Sequence, residues 1–296
     1  MPETPVLKGY LFAFGATLAG SMVYIFSKAA LEEVSLPQFG VYWFIAAICW
    51  NSFPALLKKE RRSISRLNKK NLHFLLLIGI IELVATGAFY AAIQASPNPT
   101  VPSFLRNLEY IFVALLGIWL LGERFSVMQK IGVLLTFSGA FIISYKSDAN
   151  WQNILTGGTG LMIVATVFYG FRTIMAKKHI RQVSPTILAL NRAIFLLSLA
   201  LILLLSFGES FAIPHKALIN IAIGSFFGPF LTSLTQYSAL KYIEASKAAI
   251  IQSSTGLFVL SGAFLWFGNL PFPYQIAGGI VTIGGVILLM IGDKAK

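Results

Sequence analysis

Charge is what this chain has little of. Only 11% of its residues are Asp, Glu, Lys or Arg, while 56% are hydrophobic. A water-facing globule carries about 25% charged residues, so a soluble surface is excluded. Cysteine is nearly missing as well. Cys49 alone, inside an apolar stretch, excludes a disulfide framework and reads as a small packed side chain. The three histidines, His73, His179 and His215, fall at expected helix ends, with neither metal-ligand spacing nor a nucleophile beside them. That speaks against a metal site and against an enzyme. No GxxxxGK[ST] loop occurs, so neither a built-in ATPase nor any other cofactor is expected.

Acidic residues are outnumbered, 11 against 23 basic ones, for a net charge of +12. Nucleic acid is not the reason. Lys58, Lys59, Arg61, Arg62, Arg66, Lys69 and Lys70 crowd one loop without the interleaved aromatics that stack on bases. Apolar stretches near 8–29, 38–57, 72–95, 99–121, 127–145, 155–176, 187–206, 217–240, 246–267 and 273–291 are each long enough, at roughly 20 residues, to cross a bilayer. With the N-terminus inside, 17 Lys and Arg lie on the inner side, against Lys28, Lys146 and Lys216 outside. The positive-inside rule then places both termini in the cytoplasm and the chain in the cell (inner) membrane. Asn98-Pro99 reads as an N-cap followed by proline at the first helical position.

What is present in abundance is repetition. Ala16-Thr17 recurs as Ala165-Thr166, Lys28 as Lys177, and Val34-Ser35 as Val183-Ser184, each 149 positions on. Later the offset shortens: Tyr90 returns as Tyr237, and Gln129, Gly132, Thr136 and Gly139 return as Gln275, Gly278, Thr282 and Gly285. The expectation is an all-α integral membrane protein of ten transmembrane helices, built from two five-helix repeats, residues 1–149 and 150–296. An odd number of crossings per repeat inverts the second copy, the design of secondary transporters that alternate access to a site between their halves.

Candidate site residues are those that hydrocarbon does not tolerate. A charge at the centre of a spanning helix costs about 2.5–3.5 kcal/mol, so such groups face cavities or partners. Counting about 1.5 Å per residue puts Arg106 ~10 Å, Glu109 ~15 Å and Glu82 ~20 Å deep. Asn107, Tyr90 and Tyr110 lie beside them in sequence, and the repeat maps Arg106, Asn107 and Glu109 onto Gln252, Ser253 and Thr255. The stripes Thr17, Gly20, Ser21, Tyr24, Lys28 and Thr166, Tyr169, Gly170, Thr173, Lys177 read as cavity walls, with Tyr24 and Tyr169 in contact with solute. Helices 5 and 10, with small residues at i, i+4 and i+7, read as close-packed scaffold. Arg172 and Arg192 lie within two turns of helix ends, a depth from which arginines snorkel. Gly224, Gly228 and Pro229 should weaken helix 8 near its middle.

Leu120-Leu121-Gly122-Glu123 followed by Gln129-x-x-Gly132, and Val183-Ser184-Pro185 leading to Arg192, resemble the EamA-type branch of the drug/metabolite transporter superfamily. Asn269 and Trp43 stand where that pattern has the acidic residue and the arginine of the other repeat. The resemblance implies a central cavity lined by helices 1, 3, 4, 6, 8 and 9, and small-metabolite transport, often export. The residues themselves suggest an amino acid or similar zwitterion, Arg106 taking its carboxylate and Glu82 and Glu109 its ammonium, with Glu82 as the proton-coupling candidate. A cationic metabolite such as choline or S-adenosylmethionine, or a lipid-linked flippase, are the alternatives. The expected partners are a small solute and the lipid bilayer; oligomeric state is left open.

Overall fold

The computed structural model describes residues 5–56, 60, 67–95, 100–144, 158–259, 261 and 272–294. The Asn98-Pro99 cap, most of the 58–70 loop and Asn269 lie outside the described residues. The protein is all helical: α1 (Pro5–Leu31), α2 (Leu36–Ala55), α3 (Lys69–Ala95), α4 (Thr100–Leu121), α5 (Val127–Ser144), α6 (Thr159–His179), α7 (Pro185–Ser206), α8 (His215–Ala239), α9 (opening as Ala245–Gln252) and α10 (Pro273–Lys294). Five of these, α1, α3, α6, α7 and α8, are by themselves long and apolar enough to cross a membrane within the described residues. The surface is greasy, with Leu76, Leu77, Trp119, Leu134, Ile202 and Ile280 all exposed, whereas Glu82, Glu109, Arg172 and Lys247 are buried. That inversion is what a bilayer as solvent demands.

Helices of opposite repeats pack in pairs. α5 and α10 meet along their glycines: a Cβ added at Gly139 would lie 2.3 Å from Thr282 Oγ1 and 2.5 Å from the Gly278 carbonyl. Thr136 and Thr282 return their hydroxyls to the carbonyls of Gly132 and Gly278, four residues back, so neither hydroxyl is stranded in the seam.

α2 and α7 are joined by two matching ties. Ser35 caps α2 in a full capping box with Gln38 and donates its hydroxyl to Glu209, which follows α7. Ser184 caps α7 and donates to Glu60, which follows α2, at 2.5 Å. Both serines and both glutamates are 149 positions apart, so the inverted repeat places one tie at each end of the same helix pair.

Two helices depart from regular geometry. In α8 the stretch Phe226–Thr232 is a π-helix around Pro229, which lacks an N–H to donate. There Thr232 returns its hydroxyl to the Phe227 carbonyl five residues back, and Asn51 donates to the Pro229 carbonyl. α9, expected to be continuous, is interrupted by a turn at Ser253-Ser254 before helix resumes at 255–259. The hydroxyls of Ser253 and Ser254 bond the carbonyls of Ile250 and Ile251 three residues back, competing with the regular ladder. Cys49 also departs from expectation. It is exposed, because it shares an outward face of α2 with Ile45 and Phe53, away from the buried side.

Candidate functional site

Five ionisable side chains form one unbroken chain through the middle of the bundle. Arg192 Nε lies 3.3 Å from Glu82 Oε2, and Arg172 Nη1 lies 3.4 Å from Glu82 Oε1. The other terminal nitrogen of Arg172 reaches Glu109 Oε1 at 3.5 Å, and Arg106 Nε meets Glu109 Oε2 at 3.2 Å. The order is Arg192–Glu82–Arg172–Glu109–Arg106, which ties α7, α3, α6 and α4 together. Alternation of sign is what lets these groups share a low-dielectric interior.

Hydroxyl groups complete the hub. Tyr237 donates to Glu82 Oε1 at 2.9 Å and Thr86 to Oε2 at 3.0 Å. The Thr86 oxygen in turn accepts from Tyr169 at 2.9 Å and from Arg192 Nη2 at 3.2 Å. One donated and two accepted bonds use the full capacity of a hydroxyl. Arg192 also donates to Ser233 at 3.0 Å, which brings the C-terminal part of α8 into the same network.

Aromatic rings hold the arginines from the side. The Arg106 guanidinium lies over Phe89 at 4.7 Å and Tyr169 at 4.9 Å, and Arg172 lies over Tyr169 at 4.6 Å. Tyr24 and Tyr90 pack edge-on against Phe89, extending the aromatic wall. Such contacts are worth about 0.5–2 kcal/mol each, more where desolvated, and they fix the planar groups in place.

These residues border a central cavity of ≈50 Å³. Tyr24, Tyr90, Arg106, Tyr110, Tyr169, Gln252 and Thr255, all expected from the sequence, line it. Glu82 and Glu109 do not; both are 1% exposed and stand behind the arginines. Ser253 spends its hydroxyl within α9, and Asn107 is buried off the cavity. Of the two polar stripes, Gly20 with Tyr24 and Tyr169 reach the cavity. Thr17 instead bonds the Ala13 carbonyl, Lys28 pairs with Glu32, and Lys177 reaches the Leu240 and Ile243 carbonyls at the end of α8.

The sequence reading that Arg172 and Arg192 snorkel to a helix end is overturned. Arg172 is 1% exposed and Arg192 has 12% of its side chain exposed; both turn inward to Glu82 and line the cavity, as does Gln236. A carboxylate at matching depth outcompetes the trip to the interface. The available signal was register: Arg172 lies three residues past Tyr169, on the face already assigned to the wall.

A family model described as the EamA-like transporter family matches this chain twice, over residues 7–145 and 156–291. A protein of Methanothermobacter thermautotrophicus described as an uncharacterized transporter is 23% identical, over 97% of this chain and 88% of its own. One of Haemophilus influenzae with the same description is 22% identical, over 99% and 98%. A solved crystal structure superimposes with a TM-score of 0.79 at 14% identity, covering 97% of this chain and 98% of the other.

Proposed function

Because this chain belongs to the EamA-like transporter family, we propose that it is a secondary transporter, an exporter, of a small carboxylate-bearing metabolite, amino acids among them, working by alternating access between its two repeats. It resides in the cell (inner) membrane, with both termini cytoplasmic. The observation that carries the substrate reading is the cavity lining. Three guanidiniums face the space and, among the described residues, no carboxylate does. Arg106 is the best placed to take the solute's carboxylate, since its side chain is 18% exposed and Glu109 is its single ion-pair partner among the described residues. An ammonium would have to rest on tyrosine faces and the polar ends of Gln252 and Thr255, because Glu82 and Glu109 are committed to arginines. This weighs against a cationic solute such as choline.

The pocket in this conformation is much smaller than the ~300–1,000 Å³ that encloses a metabolite-sized ligand. Binding therefore requires the helices to part. Thermal-shift measurements on purified protein with lactate, L-alanine and choline test the reading, since a ligand of the native state raises the midpoint by mass action. Stabilisation by the carboxylates and none by choline is expected. Loss of an Arg106 charge-assisted bond in Arg106→Gln should weaken carboxylate binding by about ten- to a hundredfold. Stabilisation by choline alone would overturn the proposal.

A further inference from the structure

Among the described residues, the charges around the cavity do not cancel. Arginine stays protonated in proteins, so Arg106, Arg172 and Arg192 contribute three positive charges whatever the pH. Glu82 and Glu109 contribute at most two negative ones. The sum, 3 − 2, is at least +1, and protonating either carboxylate only raises it. Lys247, also buried, does not line the cavity and is paired with Glu244 at 2.8 Å, so it does not alter the count. An uncompensated charge held away from water is costly, and a counter-ion is the direct way to offset it.

Size points the same way. A cavity needs about 10–15 Å³ to hold a water, so ≈50 Å³ accommodates a few water-sized occupants and no metabolite. Donors are available there too: Arg172 lines the cavity, and its Nε–H is buried with no hydrogen-bond acceptor. Tyr24 and Tyr110 line the same space, whereas the Thr255 hydroxyl is spent on the Gln252 carbonyl.

We infer that the central cavity is a binding site for one small monovalent anion, of halide size, held by Arg106, Arg172 and Arg192. It deepens the transport reading: the solute's carboxylate enters as the replacement for this ion, so halide and carboxylate compete. Halide binding itself rests on the charge count and not on which solute is carried.

Bromide is the probe. Purified protein is titrated with sodium bromide replacing sodium methanesulfonate at constant ionic strength, and crystals grown in bromide are measured at its absorption edge. A saturable rise in thermal midpoint and an anomalous peak between the three arginines are expected. Arg106→Gln should weaken the saturable response by about tenfold or more, and Arg106→Lys by less. Lys216→Gln, at the exposed pair with Glu33, should leave it intact. An anomalous map with no peak in the cavity, or an unchanged titration in folded Arg106→Gln, would overturn the site. Should Arg106→Gln not fold, the wild-type map decides. Bromide binding that lactate and L-alanine fail to displace would leave the anion site standing and remove the carboxylate from the transport proposal.

Discussion

Glu82 joins more of the molecule than any other described side chain in the network. Both of its oxygens are shared between a guanidinium and a hydroxyl, and its partners sit on α3, α6, α7 and α8. Two roles were open for such a residue: a proton carrier, or a hub that fixes the arginines. The geometry favours the hub, because the carboxylate is behind the cavity wall and fully engaged. Glu82→Gln keeps size and some hydrogen bonding yet leaves Arg172 and Arg192 short of a counter-charge. A loss of about 3–5 kcal/mol of stability is expected, as for other broken buried pairs, read as a lower denaturation midpoint in detergent. A stable Glu82→Gln protein whose flux has lost only its pH dependence would return Glu82 to proton coupling. The depth of Glu82, Arg106 and Glu109 was legible in the sequence because charge in an apolar run is conspicuous. Which of them faces the cavity was not. Facing depends on Arg172 and Arg192, whose partners lie 90 and 110 positions away on α3.

At the scale of elements, local chemistry read well where it is written in adjacent residues. The small-residue spacing of α5 and α10 gave their seam, and Pro229 gave the disturbance in α8, which takes the form of a π-helix. The break in α9 was missed because two serines in a membrane helix are ordinary until both turn back on their own carbonyls. The α2–α7 ties were hidden for another reason: they pair a cap in one repeat with a carboxylate in the other. Two predictions follow from these contacts. Gly139→Ala places a methyl group within 2.5 Å of the α10 backbone and should destabilise the fold by about 1–3 kcal/mol. Gly284→Ala, with nothing within 4 Å, should be neutral or stabilising by up to about 1 kcal/mol. Equal effects of the two in a thermal-denaturation series would mean that the seam is looser than drawn. Glu60→Gln and Glu209→Gln each weaken one tie, at opposite ends of the pair, and should cost about 1 kcal/mol apiece. Their effects should add, since the sites share no partner.

For the molecule as a whole, the proposed alternating access has to work through the contacts between the two repeats. Beyond α2–α7 and α5–α10, the repeats also meet where Glu123, at the end of α4, accepts hydrogen bonds from the backbone of Ala245 and Ser246 at 2.8 and 3.0 Å and from the Ser246 hydroxyl. This carboxylate caps the first turn of α9, where the helix dipole favours negative charge. It is thus a contact between the repeats at the end of the bundle where α4 finishes and α9 begins. If a solute passes by rocking of one repeat against the other, this contact has to part when that end opens, because it joins the same two helices, α4 and α9, that carry Arg106 and Gln252 to the cavity. Cysteines placed at 123 and 246 in a protein carrying Cys49→Ser, joined by a short thiol cross-linker, should therefore abolish solute flux in proteoliposomes. A reducible linker should restore it on cleavage, which separates locking from misfolding. Full flux through the cross-linked protein would mean that this end stays closed throughout transport, and the rocking scheme would fall with it.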